Sequence, residues 1–159
     1  MRAFPSLLSA LAAVVVVALG AALAGCGPGD ADVRNAYVGS ASRAVAGFED
    51  AFGNLQSDVR ATSTPAQDRR TLDRFETATD RLVTALGEIK APGAVRSLHS
   101  RLIAEVRSYR TLIDRARPGF AAKDPRKVIT ARTTFSAGVE RVNAQITRTI
   151  DAINRALRG

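Results

Sequence analysis

Tryptophan is absent from this 159-residue chain, cysteine, histidine and methionine occur once each, and aromatic residues make up only 5%. Each scarcity excludes something. One cysteine cannot close an internal disulfide, and a lone His99 without a second thiol lacks the ligand sets that usually hold zinc, copper or haem. No metal or cofactor is expected within one chain. Di-iron bundles need inward Glu residues and Glu-x-x-His pairs, whereas Glu49, Glu76, Glu88, Glu105 and Glu140 stand alone and none precedes His99 by three. Ser97, His99 and Ser100 share one helical stretch but point in different directions, so they form no nucleophilic triad. A glycine-rich phosphate loop with its following Lys is missing too, as is any strand-to-helix catalytic motif. The chain therefore reads as non-enzymatic. His99 reads as a surface or core-edge histidine, its alternative being a pH-sensitive binding residue.

Strand-like alternation is also lacking, while Ala and Leu recur at helical spacing. Val33, Tyr37, Ala41, Val45, Phe48, Phe52, Leu55 and Val59 share one face of a first helix. Thr64-Pro65-Ala66-Gln67 then offers a capping Thr, a proline where no amide partner is lost, and a Gln placed to close a capping box. The second helix carries Leu72, Phe75, Ala78, Leu82, Leu86 and Ile89 inward. Ala91-Pro92-Gly93 ends that periodicity. A third helix presents Val95, Leu98, Leu102, Val106, Tyr109, Ile113 and Ala116 until Pro118-Gly119, where a second break is expected. Asp124-Pro125 restarts the chain, and the last and longest helix lines up Val128, Ala131, Phe135, Val139, Val142, Ile146, Ile150, Ile153 and Leu157. Four amphipathic segments joined by short breaks predict an all-α, antiparallel up-down-up-down four-helix bundle.

The only long apolar run, residues 7–22, follows Met1-Arg2 and closes on Leu23-Ala24-Gly25-Cys26, giving the charged, apolar and small-residue regions of an export signal in order. This segment resembles the lipobox of bacterial lipoproteins, and the resemblance covers the first 26 residues. It implies that a diacylglyceryl group joins the Cys26 sulfur and that residues 1–25 are removed as a signal peptide. The remaining 134 residues are then held on the extracytoplasmic face of the cell membrane. Two acyl chains at about 0.8 kcal/mol per buried methylene anchor stably without help from protein surface. An uncleaved transmembrane anchor is the alternative, because residues 7–24 approach the roughly 20 apolar residues that a span requires. Residues 26–31, the lipidated Cys26 with Gly27-Pro28-Gly29-Asp30-Ala31, read as a flexible tether, which leaves residues 32–159 as the bundle. That part is similar to the small helical lipoproteins of unassigned function.

Charge is unevenly placed. Residues 26–90 hold 8 basic and 10 acidic side chains, whereas residues 91–159 hold 14 basic and 5 acidic. Arg110, Arg115, Arg117, Lys123, Arg126 and Lys127 gather around the turn between the third and fourth helices, and Arg148, Arg155 and Arg158 lie near the C-terminus. The turn cluster reads as an anion-binding surface for phospholipid headgroups, envelope polymers or envelope proteins, with a solvated helix face as the plainer reading. Nucleic acid is not an expected partner, since no aromatics interleave with the arginines and the chain reads as exported. A ligand-sensing or lipid-carrier module is the alternative function: the small residues Gly47, Ala51, Gly53, Ala85 and Gly138 would leave an apolar cavity between helices.

Overall fold

In the computed structural model, residues 28–58 and 64–158 are described, and they form helices with no strand among them. Helix α1 spans Pro28–Asp58, α2 Pro65–Gly87, α3 Arg96–Phe120 and α4 Pro125–Arg158, with one 3-10 turn, Gly93–Val95, leading into α3. Consecutive helices pack against each other, and the seam between α3 and α4 is the most extensive. Tyr37 meets His99 while Phe48 meets Tyr109, so α1 and α3 run parallel. Arg34 donates to the Leu157 carbonyl at 3.4 Å, bringing the end of α4 back to the start of α1. The expected four-helix, up-down-up-down arrangement is therefore present.

Local chemistry sets most of the boundaries. The Thr64 hydroxyl accepts from the Gln67 amide at 3.3 Å and the Thr64 amide donates to Gln67 Oε1 at 2.7 Å, closing the capping box at the start of α2. At the start of α4, Asp124 Oδ1 accepts from the Arg126 amide at 2.9 Å, with Pro125 occupying the first position.

Three boundary or face assignments need correction. Residues 28–31, expected to belong to a flexible tether, lie within α1. Val33, expected in the core, is 52% exposed, because it lies four residues before Tyr37, the first buried side chain among the described residues of α1. Helix α3 also runs through Pro118 to Phe120. Proline costs that turn one backbone bond, yet Phe120 is buried against Phe135 at 6.1 Å and holds the turn onto α4. The real break follows at residues 121–124. Residues 1–25, expected to be a signal peptide, lie outside the described residues with Cys26, Gly27 and Val59, as do the side chains of Phe52, Gly53 and Leu55.

Five of the described aromatics, Phe48, Phe75, Tyr109, Phe120 and Phe135, form one cluster. Phe75 lies 5.2 Å from Tyr109, 5.9 Å from Phe135 and 6.1 Å from Phe48, so one ring of α2 touches all three other helices. Leu72, Leu86, Val95, Val106 and Ile113 extend this core along the bundle. Small residues set its closest approach: a Cβ at Gly119 would lie 2.4 Å from the Ala131 Cβ, so α3 and α4 touch there through backbone and methyl.

Candidate functional site

The turn between α3 and α4 lies at the end of the bundle opposite Pro28. At 1.5 Å per residue, the 25 residues of α3 alone span about 37 Å between the turn and the start of α3. The six basic residues expected to bind anions there divide into two groups. Arg110 donates to Asp80 and Glu76, each at 3.0 Å. Arg117 donates to Asp73 at 2.5 Å and also to Glu76. Its hydrogen bond to Asp73 leads the effects that push its guanidinium above the ordinary value, the charges of Glu76 and Asp73 adding to it. These two arginines fasten α3 to α2. Arg115, Lys123, Arg126 and Lys127 are exposed and have no carboxylate partner among the described residues. Asp124, in the same turn, uses one carboxylate oxygen to cap α4.

A second set of polar groups lies inside the bundle. Asp68 is 2% exposed and accepts from Arg132 Nε at 3.1 Å and Nη2 at 2.5 Å, pinning α4 to the start of α2. Glu105 Oε1 accepts from Arg101 Nε at 2.9 Å and from the Thr149 hydroxyl at 3.0 Å, and Tyr109 donates to Asn143. His99 is buried, not at the surface: one ring nitrogen lies 3.2 Å from the Tyr37 hydroxyl and the other 3.0 Å from the Leu86 carbonyl. A neutral ring donating from Nε2 and accepting at Nδ1 satisfies both contacts. It ties α1 and α3 to the end of α2, a structural role that leaves no ring nitrogen for a ligand. No group of three or more His, Cys, Asp or Glu converges on a metal-sized position among the described residues.

The third feature is a groove between α1 and α2, in two stretches of about 550 and 830 Å3 that share Arg43, Ala44 and Ala85. Gly47, Ala51 and Ala85, three of the small residues read as cavity-forming, line it. Gly138 does not: a Cβ there would meet Leu112 Cδ2 at 2.7 Å, so this glycine accommodates a side chain of α3. The arginines beside the groove escaped the sequence reading. Arg74, Ala78, Arg81 and Ala85 recur at spacings of four, three and four, and that row was legible only once α1 was known to lie on it.

No protein-family model matches the chain, and neither a curated protein nor a solved structure does. No described helix is long and apolar enough to cross a membrane.

Proposed function

We propose that the chain is a lipid-anchored, non-enzymatic protein of the cell envelope that uses the exposed α3–α4 turn to bind an anionic polymer of that envelope. The observation that carries this reading is the division of the basic residues. Arg110 and Arg117 are neutralised by α2, while Arg115, Lys123, Arg126 and Lys127 remain exposed around one turn without a carboxylate partner among the described residues. Unneutralised like charges on one turn repel each other and gain from a polyanion that bridges them. The turn lies the length of α3, about 37 Å, away from the end of the bundle where α1 begins, so an anchor on Cys26 would leave it away from the headgroups. That separation favours a wall polymer over a bilayer surface.

The test is binding of a soluble polyglycerol phosphate to membranes carrying the protein. Binding is expected to weaken steeply from 0.1 to 1 M salt, as the screening length falls from about 10 to 3 Å. It is also expected to be lost when Arg115, Lys123, Arg126 and Lys127 all become Ala. Unchanged binding by that variant makes the turn ordinary solvated surface. The anchor has its own test: the intact mass of membrane-extracted protein should fit a chain starting at a diacylglyceryl-modified Cys26. A chain retaining Met1, or an unmodified thiol, refutes it.

A further inference from the structure

We propose that the groove between α1 and α2 binds a single-chain anionic amphiphile, its alkyl chain along the groove floor and its acidic head among the arginines at the rim. The floor is apolar: Ala44, Gly47 and Phe48 from α1 and Ala78, Leu82 and Ala85 from α2 line it. Nothing lies within 4 Å of where a Cβ would stand on Gly47, so the space above this glycine is open. The two stretches, about 550 and 830 Å3, each fall within the roughly 300 to 1,000 Å3 typical of small-molecule sites. From Val33 to Ala51 the groove follows about 27 Å of helix axis at 1.5 Å per residue. One acyl chain spans about 15 Å, half of a bilayer's hydrocarbon core, so an extended chain fits.

Charge selects the head. Among the described residues, Arg43, Arg81, Lys90 and Arg96 line the groove together with a single carboxylate, Glu88. The reason lies in α2, whose other acidic side chains are committed elsewhere: Asp73, Glu76 and Asp80 pair with α3 and Asp68 pairs with α4. Arg43 donates to the neutral Ser40 hydroxyl at 3.1 Å, and Arg81, Lys90 and Arg96 have no carboxylate partner among the described residues. The chemistry of the floor selects an alkyl chain over an extended peptide. The bordering helices satisfy their backbone groups internally, so a strand laid there would bury amides without partners, whereas an alkyl chain has none to satisfy. The exposed Val33 lengthens the apolar floor at the Pro28 end.

The inference stands apart from the α3–α4 turn and is tested apart from it. Membranes carrying the protein are irradiated with an alkyne-tagged, diazirine-bearing palmitate, and the adducts are mapped by mass spectrometry. Adducts are expected within residues 33–51 and 77–96, and a probe with the same chain but a trimethylammonium head should label at least fivefold less. Gly47→Phe, which fills open space, should reduce labelling at least fivefold with helicity unchanged, and Arg43→Glu with Arg81→Glu should do the same by repelling the head. Replacing the four turn residues by Ala should leave labelling intact. Adducts confined to residues 1–27, equal labelling by the cationic probe, or labelling indifferent to both groove variants overturns the proposal.

Discussion

The same substitution, glycine to alanine, is expected to have opposite effects at two helical positions of this bundle. At Gly119 the new methyl would stand 2.4 Å from the Ala131 Cβ, 3.6 Å from its Cα and 3.7 Å from the Lys127 carbonyl oxygen. Carbon atoms rest at about 3.5 to 4.0 Å, and a methyl fixed to α4 has no rotamer by which to withdraw. The helices must therefore part by about an ångström, an overpacking that costs roughly 1 to 3 kcal/mol. Alanine returns up to about 1 kcal/mol of helix propensity, less in a final turn, leaving a net loss of about 1 to 2 kcal/mol. At about 2 to 4 °C per kcal/mol, Tm should fall by about 2 to 8 °C. Gly47→Ala meets nothing within 4 Å and should instead gain roughly 0.5 to 1 kcal/mol, raising Tm by about 2 to 3 °C. Thermal melting followed by far-ultraviolet circular dichroism measures both. The decisive variant is the swap, Gly119→Ala with Ala131→Gly, which restores one methyl to the crossing and should recover at least 1 kcal/mol relative to the sum of the single changes. A Gly119→Ala protein melting at or above the parent, or a swap without coupling, refutes the close crossing of α3 and α4.

Three further expectations concern the polar groups inside the bundle. Asp68→Asn removes the carboxylate that faces Arg132 inside the bundle and should cost about 3 to 5 kcal/mol in denaturant titration; a loss below 1 kcal/mol means that water or another group compensates the guanidinium. Both tyrosines, Tyr37 and Tyr109, are held above the ordinary phenol value by burial. Their folded values exceed the unfolded value of about 10, so the stability they contribute is fully present below pH 10 and lost as pH rises beyond it. Tyrosinate absorbance should therefore appear together with the loss of helical signal, and a chain that ionises both phenols while remaining folded contradicts their burial. His99→Phe keeps the ring but strips the Tyr37 hydroxyl of its acceptor and the Leu86 carbonyl of one donor, and should destabilise by about 1 to 3 kcal/mol, whereas a surface histidine would tolerate the change.

Helix starts were legible because they are written in adjacent residues: Thr64 to Gln67 and Asp124-Pro125 carry their own hydrogen-bond partners or geometry. The inward faces of α2, α3 and α4 were legible too, since a burial period of three or four residues survives wherever a helix is flanked by others. The failures share a cause. Pro118 has weak local helix preference, and Phe120 against Phe135 decides the outcome there through a contact that joins different helices. His99 was read from its polarity, but its burial depends on Tyr37 and the Leu86 carbonyl, 62 and 13 residues away. Long-range partners of this kind leave no local signature.

Charge was the least legible property, because net charge along the sequence does not say which charges face each other. The acidic first half and basic second half suggested a surface for anionic partners, but part of that asymmetry is complementarity within the bundle: Asp68, Asp73, Glu76 and Asp80 of α2 take Arg110 and Arg117 of α3 and Arg132 of α4. Pairing on one side of α2 has a consequence for the other. Carboxylates turned toward α3 and α4 cannot also neutralise Arg43 and Arg81 beside α1, so the ladder that holds α2 to α3 is also what leaves the α1–α2 groove cationic. A charge reversal of Asp80 to Arg would test this link directly. It should leave Arg110 with Glu76 alone, which Arg117 also uses, and loosen α3, lowering Tm, while leaving palmitate labelling in the groove at or above its parental level. Loss of labelling in a chain that remains folded would show that the groove depends on the geometry of α2 and not on its charge.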